Sequence, residues 1–375
     1  MRQDRRHFLE LLVAAAAASA MPGPALARGS RDPAPLQYLA ARRRDGRHEA
    51  VRLDSEGRDL QVLPLPDRGH SFALDPARRR AVAFGRQPGF YALAFGFERD
   101  AAPQALPLPE GRHYFGHGGF SADGKLLYAT ENDYEGGRGV VGVYDASHGG
   151  DWRRVGEFDA AGIGAHEALL LPDGRTLCVA NGGILTHPDY GKLELNLDSM
   201  APSLVYLDLA DGRVVEQVDL GTVLHQLSIR HLCLDHRGTV WFGCQHMGPG
   251  SERPALVGRH RRGQAPELFT APAPLQRRLH NYIGSVACDA SGTVIATSSP
   301  VGGLVLYWDA DNGRCLGSTP LADGCGVASI GRGRFLINDG HGSMIEAGPS
   351  GLIRPRLPPT PGLAWDNHLR GLRPA

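Results

Sequence analysis

The residues in this chain with the most evident capacity for chemistry are histidines. His70, His117, His166 and His231 recur along the sequence, each entering a short apolar stretch that leads to a Gly-centred or Asp-centred turn. Imidazole is a ligand for zinc, copper and iron, and several imidazoles converging on one point make a site for a transition metal or an anionic ligand. Glu167 and Arg230 stand beside two of the four, and His113, His225 and His280 lie just upstream of others. A carboxylate at that distance would complete a mixed metal site. Two further segments are candidates for the same surface: Glu131-Asn132-Asp133-Tyr134, and the run from Asn181 through His187 to Met200. The metal set is therefore His70, His117, His166 and His231, and the ligand-binding set is Glu131, Asn132, Glu167, Asn181, His187, His225 and Arg230. A structural alternative stands beside this one. In some propellers a Gly-His pair bonds to a Ser or Asp of its own blade, and Gly69-His70 and Gly116-His117 fit that pattern. Ala165-His166 and Arg230-His231 break it.

Other catalytic signatures are missing. The sequence contains no Gly-x-Ser-x-Gly, no phosphate-binding glycine loop, no His-Glu-x-x-His and no calcium-loop pattern. Asp75, Asp123, Asp173, Asp235 and Asp289 fall at hairpin turns, where aspartate is favoured for its local hydrogen bonds.

The elements that position the histidines repeat with a period of roughly 40 to 65 residues, the range of propeller and solenoid units. His117 to Gly124 leads into Lys125–Thr130 and then Val140–Asp145, three strands joined by tight turns. His166 to Gly174 precedes Thr176–Ala180 and Ser203–Asp208; Ser285 to Gly292 precedes Thr293–Thr297 and Leu304–Asp309. Arg230 to Gly238, His70 to Arg80 and Gly326 to Phe335 continue the series. No amphipathic helical period separates the strands, which excludes α/β alternation and points to four-stranded blades in a ring. The N-terminal strands Gln37–Arg42, Glu49–Leu53 and Leu60–Leu63 lack an innermost partner, and Leu363–Leu369 supplies one. The expectation is an all-β, seven-bladed propeller closed by pairing of N- and C-terminal strands, with six or eight blades as the alternatives. On such a ring His70, His117, His166 and His231 enter the inner strands on one face, with Gly284, Cys325 and Asn367-His368 at the corresponding points of other blades.

The first residues read as a secretory leader. Arg5-Arg6-His7-Phe8-Leu9 precedes a short alanine-rich apolar core and Ala25-Leu26-Ala27, a small-residue cleavage site. The paired arginines resemble the twin-arginine export signal, so residues 1–27 are expected to be removed and residues 28–375 to form one propeller domain in the periplasm, without a membrane span. Lys+Arg and Asp+Glu both number 40, a balance that argues against nucleic acid as a partner. The six cysteines contain no C-x-x-C, which excludes haem attachment and fits buried thiols better than a disulfide framework.

Tyr114 to Tyr134, Gly164-Ala-His-Glu167, Val179-Ala-Asn-Gly-Gly183, Leu224 to His231 and Trp365-Asp-Asn-His-Leu369 resemble an uncharacterised family of twin-arginine-exported periplasmic propellers, domain of unknown function 1513. The resemblance spans nearly the whole mature chain. Its members are typically encoded beside imelysin-type iron-uptake proteins, which implies a binding or accessory role in handling iron or another metal, with imelysin-type proteins as partners. A metal-dependent propeller enzyme, either a lactonase-like hydrolase or an oxidoreductase, and a metal-free interaction scaffold are the alternatives.

Overall fold

The computed structural model describes residues 36–98, 102–148 and 151–372. The segment expected to be a leader, residues 1–27, lies outside them. Runs rich in β-branched, leucine and aromatic residues become strands, and many are buried on both faces. Ser203–Asp208, Thr176–Asn181 and Leu304–Asp309 carry almost no exposed position, as expected of strands sandwiched between neighbouring sheets. Aspartates end the strands by capping the turns. Asp123 Oδ1 accepts the Lys125 N–H and the Ser121 hydroxyl, and Gly124 follows at φ +65°, a conformation that glycine adopts without strain. Asp173 accepts the Arg175 and Thr176 N–H groups, and Asp235 those of Arg237, Thr239 and the Trp241 indole. The turn aspartates are architectural, as expected.

Seven four-stranded antiparallel sheets result. Six follow chain order, with innermost strands Gly69–Asp75, Arg112–Phe120, Ala165–Leu170, Leu227–Leu234, Ser285–Cys288 and Gly324–Gly331. We call these blades 1 to 6. In blade 7 the C-terminal strand Leu363–Leu372 is innermost and pairs with Gln37–Arg44, which is followed by Arg47–Asp54 and Asp59–Pro64. Contacts between consecutive inner strands run all the way round, Leu363–Leu372 touching both Gly324–Gly331 and Gly69–Asp75. The architecture is a seven-bladed β-propeller closed by its two chain ends. The apolar clusters fall between blades: Val82, Phe84 and Ala94 of blade 1 pack with Tyr114, Phe120 and Tyr144 of blade 2, and Tyr128 and Val143 of blade 2 with Leu177 and Val205 of blade 3.

One irregularity recurs. The inner strands of six blades lose register with their neighbour, between Gly69 and Phe72, Tyr114 and Gly118, Ala165 and Glu167, Ile229 and His231, Gly324 and Val327, and opposite Ala40/Arg42 across residues 366–368. A bulge frees its extra residue from the ladder and re-aims the side chain. Each bulge lies where the chain enters its inner strand, which turns the residues held there toward the channel mouth.

Candidate functional site

The bulges bring five imidazoles together. His70, His117, His166 and His368 lie within bulges, and His231 follows Arg230, the bulged residue of blade 4. Eight of the ten ring pairs have centroids 4.5 to 6.1 Å apart. All five are buried, with His166 the most open at 8%. One ligand atom from each of His70, His117 and His368 lies within 4.8 Å of the others, and the same holds for His117, His166 and His231. His117 belongs to both triads. Local packing enforces the approach: Gly116 has φ +98°, and a Cβ there would stand 2.5 Å from the His70 ring. In blade 6 a Cβ on Gly326 would meet the backbone of His368 and Leu369, so that position has no room for a sixth ring.

Burial keeps these imidazoles neutral. It pushes His70 down to about 3 and His231 to about 4, against the pull of Asp366 and Glu167 respectively. His117, His166 and His368 are lowered as well, first by burial. Neutral imidazole is the form that donates a lone pair to a metal. Nδ1 of His166 and Nε2 of His117 and His368 have no hydrogen-bond partner, whereas Nδ1 of His70 and of His231 each face a carboxylate oxygen at 3.5 Å. Buried polar atoms are normally satisfied, and three unpartnered ring nitrogens converging in one cluster mark a candidate ligand site.

Two carboxylates stand behind the rings. Glu167 places Oε1 3.6 Å from His117 Nδ1 and Oε2 3.5 Å from His231 Nδ1, contacts slightly too long for strong hydrogen bonds. It also accepts the Leu232 N–H at 3.1 Å and Arg370 Nη2 at 2.5 Å. Burial would raise its pKa, but Arg370 and His117 hold it well below the usual range. Asp366 lies 3.5 Å from His70 Nδ1 and pairs with Arg68 at 2.5 Å. Both carboxylates face a ring of a different blade. The in-blade Ser or Asp partner that a purely structural Gly-His pair requires is absent at His70 and His117 among the described residues.

Above the cluster opens a cavity of about 190 Å³ lined by His70, His166 and His231 together with Arg86, Ser228, Arg230, Tyr282 and Asn367. Its roof is the long loop after Asn181: Ile184, Thr186, Lys192 and Glu194 reach the wall. Asn196 braces that loop, accepting the Leu185 N–H at 2.6 Å and donating to Gly183 O at 2.9 Å.

The ligand-binding candidates divide. Glu167 and Arg230 join the site. Glu131 does not: fully buried inside blade 2, it accepts from Tyr144 Oη at 2.7 Å and Arg154 Nη2 at 2.9 Å. Asn132 donates to Thr186 O and meets His113 Nε2 at 3.1 Å, and Asn181 donates to Ala160 O at 2.8 Å. Both are buried pins for loops. His187 stacks edge-on to Tyr134 at 4.9 Å, and His225 bonds Thr222 O through Nδ1; neither lines the cavity. These five were placed on the upper face by topology, which cannot distinguish a side chain aimed at the channel from one folded back into the blade. Conversely, His368 is a full member of the cluster, and Asp366, Arg370 and Arg86 were missed. The Trp365-Asp-Asn-His-Leu369 run was the available signal for His368 and Asp366, because it closes the ring at the position where other blades carry histidine.

A family profile described as "Protein of unknown function (DUF1513)" matches residues 63–372. The chain belongs to that family. No curated protein matches it. Among solved structures it is similar to Kuenenia stuttgartiensis Hydrazine Synthase, with a TM-score of 0.59 and 16% identity over 83% of this chain and 89% of that one. At that identity the likeness bears on the propeller fold alone.

Proposed function

We propose that this member of the family binds a transition metal at the mouth of its channel, as a binding or accessory protein in the handling of iron or a related metal in the periplasm. The observation that carries this reading is the pair of histidine triads sharing His117, all neutral and buried, with three ring nitrogens unpartnered. The donor set fits iron, copper or zinc: imidazole suits all three, and Asp366 and Glu167 stand behind Nδ1 of His70 and His231, where an outer carboxylate favours the Nδ1–H tautomer and leaves Nε2 for a metal. Export of the folded chain, with imelysin-type proteins as partners, belongs to the same reading and rests on the leader and the family resemblance. The cavity above the cluster supports a second reading, a metal-dependent enzyme, since it leaves one side of the cluster open to a substrate. The test is elemental analysis of the mature protein purified without a histidine tag, beside a variant with His117 and His166 both changed to alanine. Near-stoichiometric metal that vanishes in a still-folded variant is expected. Metal-free protein that stays so after incubation with ferrous, cupric and zinc salts would sink both readings.

A further inference from the structure

The wall of the cavity carries more positive charge than it neutralises. Arg86, Lys192 and Arg230 line it with a single carboxylate, Glu194; Asp366, the other carboxylate near Arg86, is already paired with Arg68. Neither Arg86 nor Lys192 makes a side-chain hydrogen bond or ion pair among the described residues, and the guanidinium of Arg230 meets only the Ser228 hydroxyl at 3.2 Å and the Met247 sulfur at 3.9 Å. Elsewhere in the molecule half-buried arginines are paired: Arg112, Arg154 and Arg370 each hold a carboxylate. A guanidinium withdrawn from water without a counter-charge is costly, and its planar fork is suited to bidentate oxyanions. Tyr282 adds a donor. Its hydroxyl accepts from Asn367 Nδ2 at 2.8 Å, which leaves its own proton for another acceptor. The imidazoles beneath bring no negative charge, so a bound cation would enlarge the excess.

We propose that this cavity is an anion site for a small di- or tricarboxylate, clamped between Arg86 and Arg230 with Tyr282 as a further donor. At about 190 Å³ it falls below the ~300–1,000 Å³ of pockets that enclose drug-sized molecules, which limits the occupant to a small anion. A second carboxylate of the same ligand would point at the histidine cluster and supply a metal there with the oxygen donor and charge that five neutral imidazoles lack. That last step rests on the metal reading; the anion site does not.

The experiment is calorimetric titration of the mature protein, stripped of metal on a chelating resin, with citrate, malonate and inorganic phosphate, in wild type and in R86Q, R230Q and the double variant. Saturable citrate or malonate binding is expected, weakened roughly tenfold or more by each single substitution. R86Q alone suffices if R230Q fails to fold, because Arg86 makes no side-chain bond that folding would miss. Absence of saturable carboxylate binding at ~1 mM, equal affinity in wild type and R86Q, or preference for phosphate would overturn the proposal. Metal content is measured separately. The double variant is expected to keep its metal in carboxylate-free buffer, and a variant with His117 and His368 both changed to alanine, neither of which lines the cavity, to keep its citrate binding, so failure of either site leaves the other standing.

Discussion

At the scale of single residues the cluster makes unequal demands on its members. His117 lies in both triads, whereas His70 and His368 serve one and His166 and His231 the other. H117A is therefore expected to lower metal affinity more than H70A or H166A, measured by competition with a chromogenic chelator. Glu167 touches no metal position directly, yet it faces His117 and His231 at once. Loss of such an outer partner costs roughly 10 to 100-fold in metal affinity, so E167Q is expected in that range with the metal stoichiometry unchanged. A purely structural Glu167 would instead lower the melting temperature and leave the affinity alone. Four of the five rings were legible in the sequence because each enters an inner strand ahead of a recognisable turn. His368 was noticed as the residue in the seventh such place, but no turn or hairpin follows it within the chain, so nothing local ranked it with the others. Arg86 lies in a connecting loop with no pattern around it, and only the folded ring shows what it faces.

At the scale of the strand and blade, the same residue type does unrelated work. Glu131 and Glu157 of blade 2 are held by Arg112 and Arg154, with Arg138 added at Glu157. Gly142 leaves the room, since a Cβ there would collide with Glu131 Oε1. Removing one partner of a buried pair costs roughly 3 to 5 kcal/mol, and E131Q is expected to lose stability on that scale in urea unfolding while keeping its metal. Glu157 adds a pH dependence. Burial would raise its pKa from 4.5, but hydrogen bonds from Arg112, Arg138 and Arg154 outweigh this and bring it down to about 2. A carboxylate depressed in the folded state stabilises fully above its unfolded value and loses that contribution as pH falls through the folded one. The stability difference between wild type and E157Q is therefore expected to be constant above about pH 5 and to shrink between 4.5 and about 2. A difference that grows on acidification would contradict the arginine cage. Ending the strand at Thr130 puts Glu131 in a loop at the channel mouth; the strand runs on to Asp133, and three residues of extra pairing bury the carboxylate. The bulges were invisible for a related reason. Histidine at a strand entry does not by itself announce a bulge, and register is a property of two strands, not one.

At the scale of the whole molecule, ring closure and site assembly depend on the same strand. Leu363–Leu372 is hydrogen-bonded only to Gln37–Arg44 within its sheet, and it carries Asp366, His368 and Arg370, one ring of the cluster and the groups that face His70 and Glu167. The alternation of strands and turns made the seven blades legible, and the orphaned N-terminal strands made the closure legible. What composition could not convey is that the closing strand also supplies the site. The five histidines come from five blades, so a metal bound by them adds to the apolar packing and the ion pairs, such as Arg370 with Glu167, that already join the sheets. Ligand that binds only the closed ring stabilises it by mass action, about 2.7 kcal/mol at a hundredfold excess over Kd, and metal is expected to raise the melting temperature of wild type but not of H117A. Deletion of residues 363–372 should abolish both the metal and the single cooperative transition. A synthetic peptide of that sequence added in excess is expected to restore both in parallel, because the backbone ladder to Gln37–Arg44 and the His368 ring arrive on one segment. Recovery of cooperative unfolding without recovery of metal, using the native peptide, would separate closure from the site and place the metal elsewhere than on the ring of imidazoles. The same peptide with His368 replaced by alanine provides the contrast: it should close the propeller, keep the triad of His117, His166 and His231, and lose the triad that needs His368.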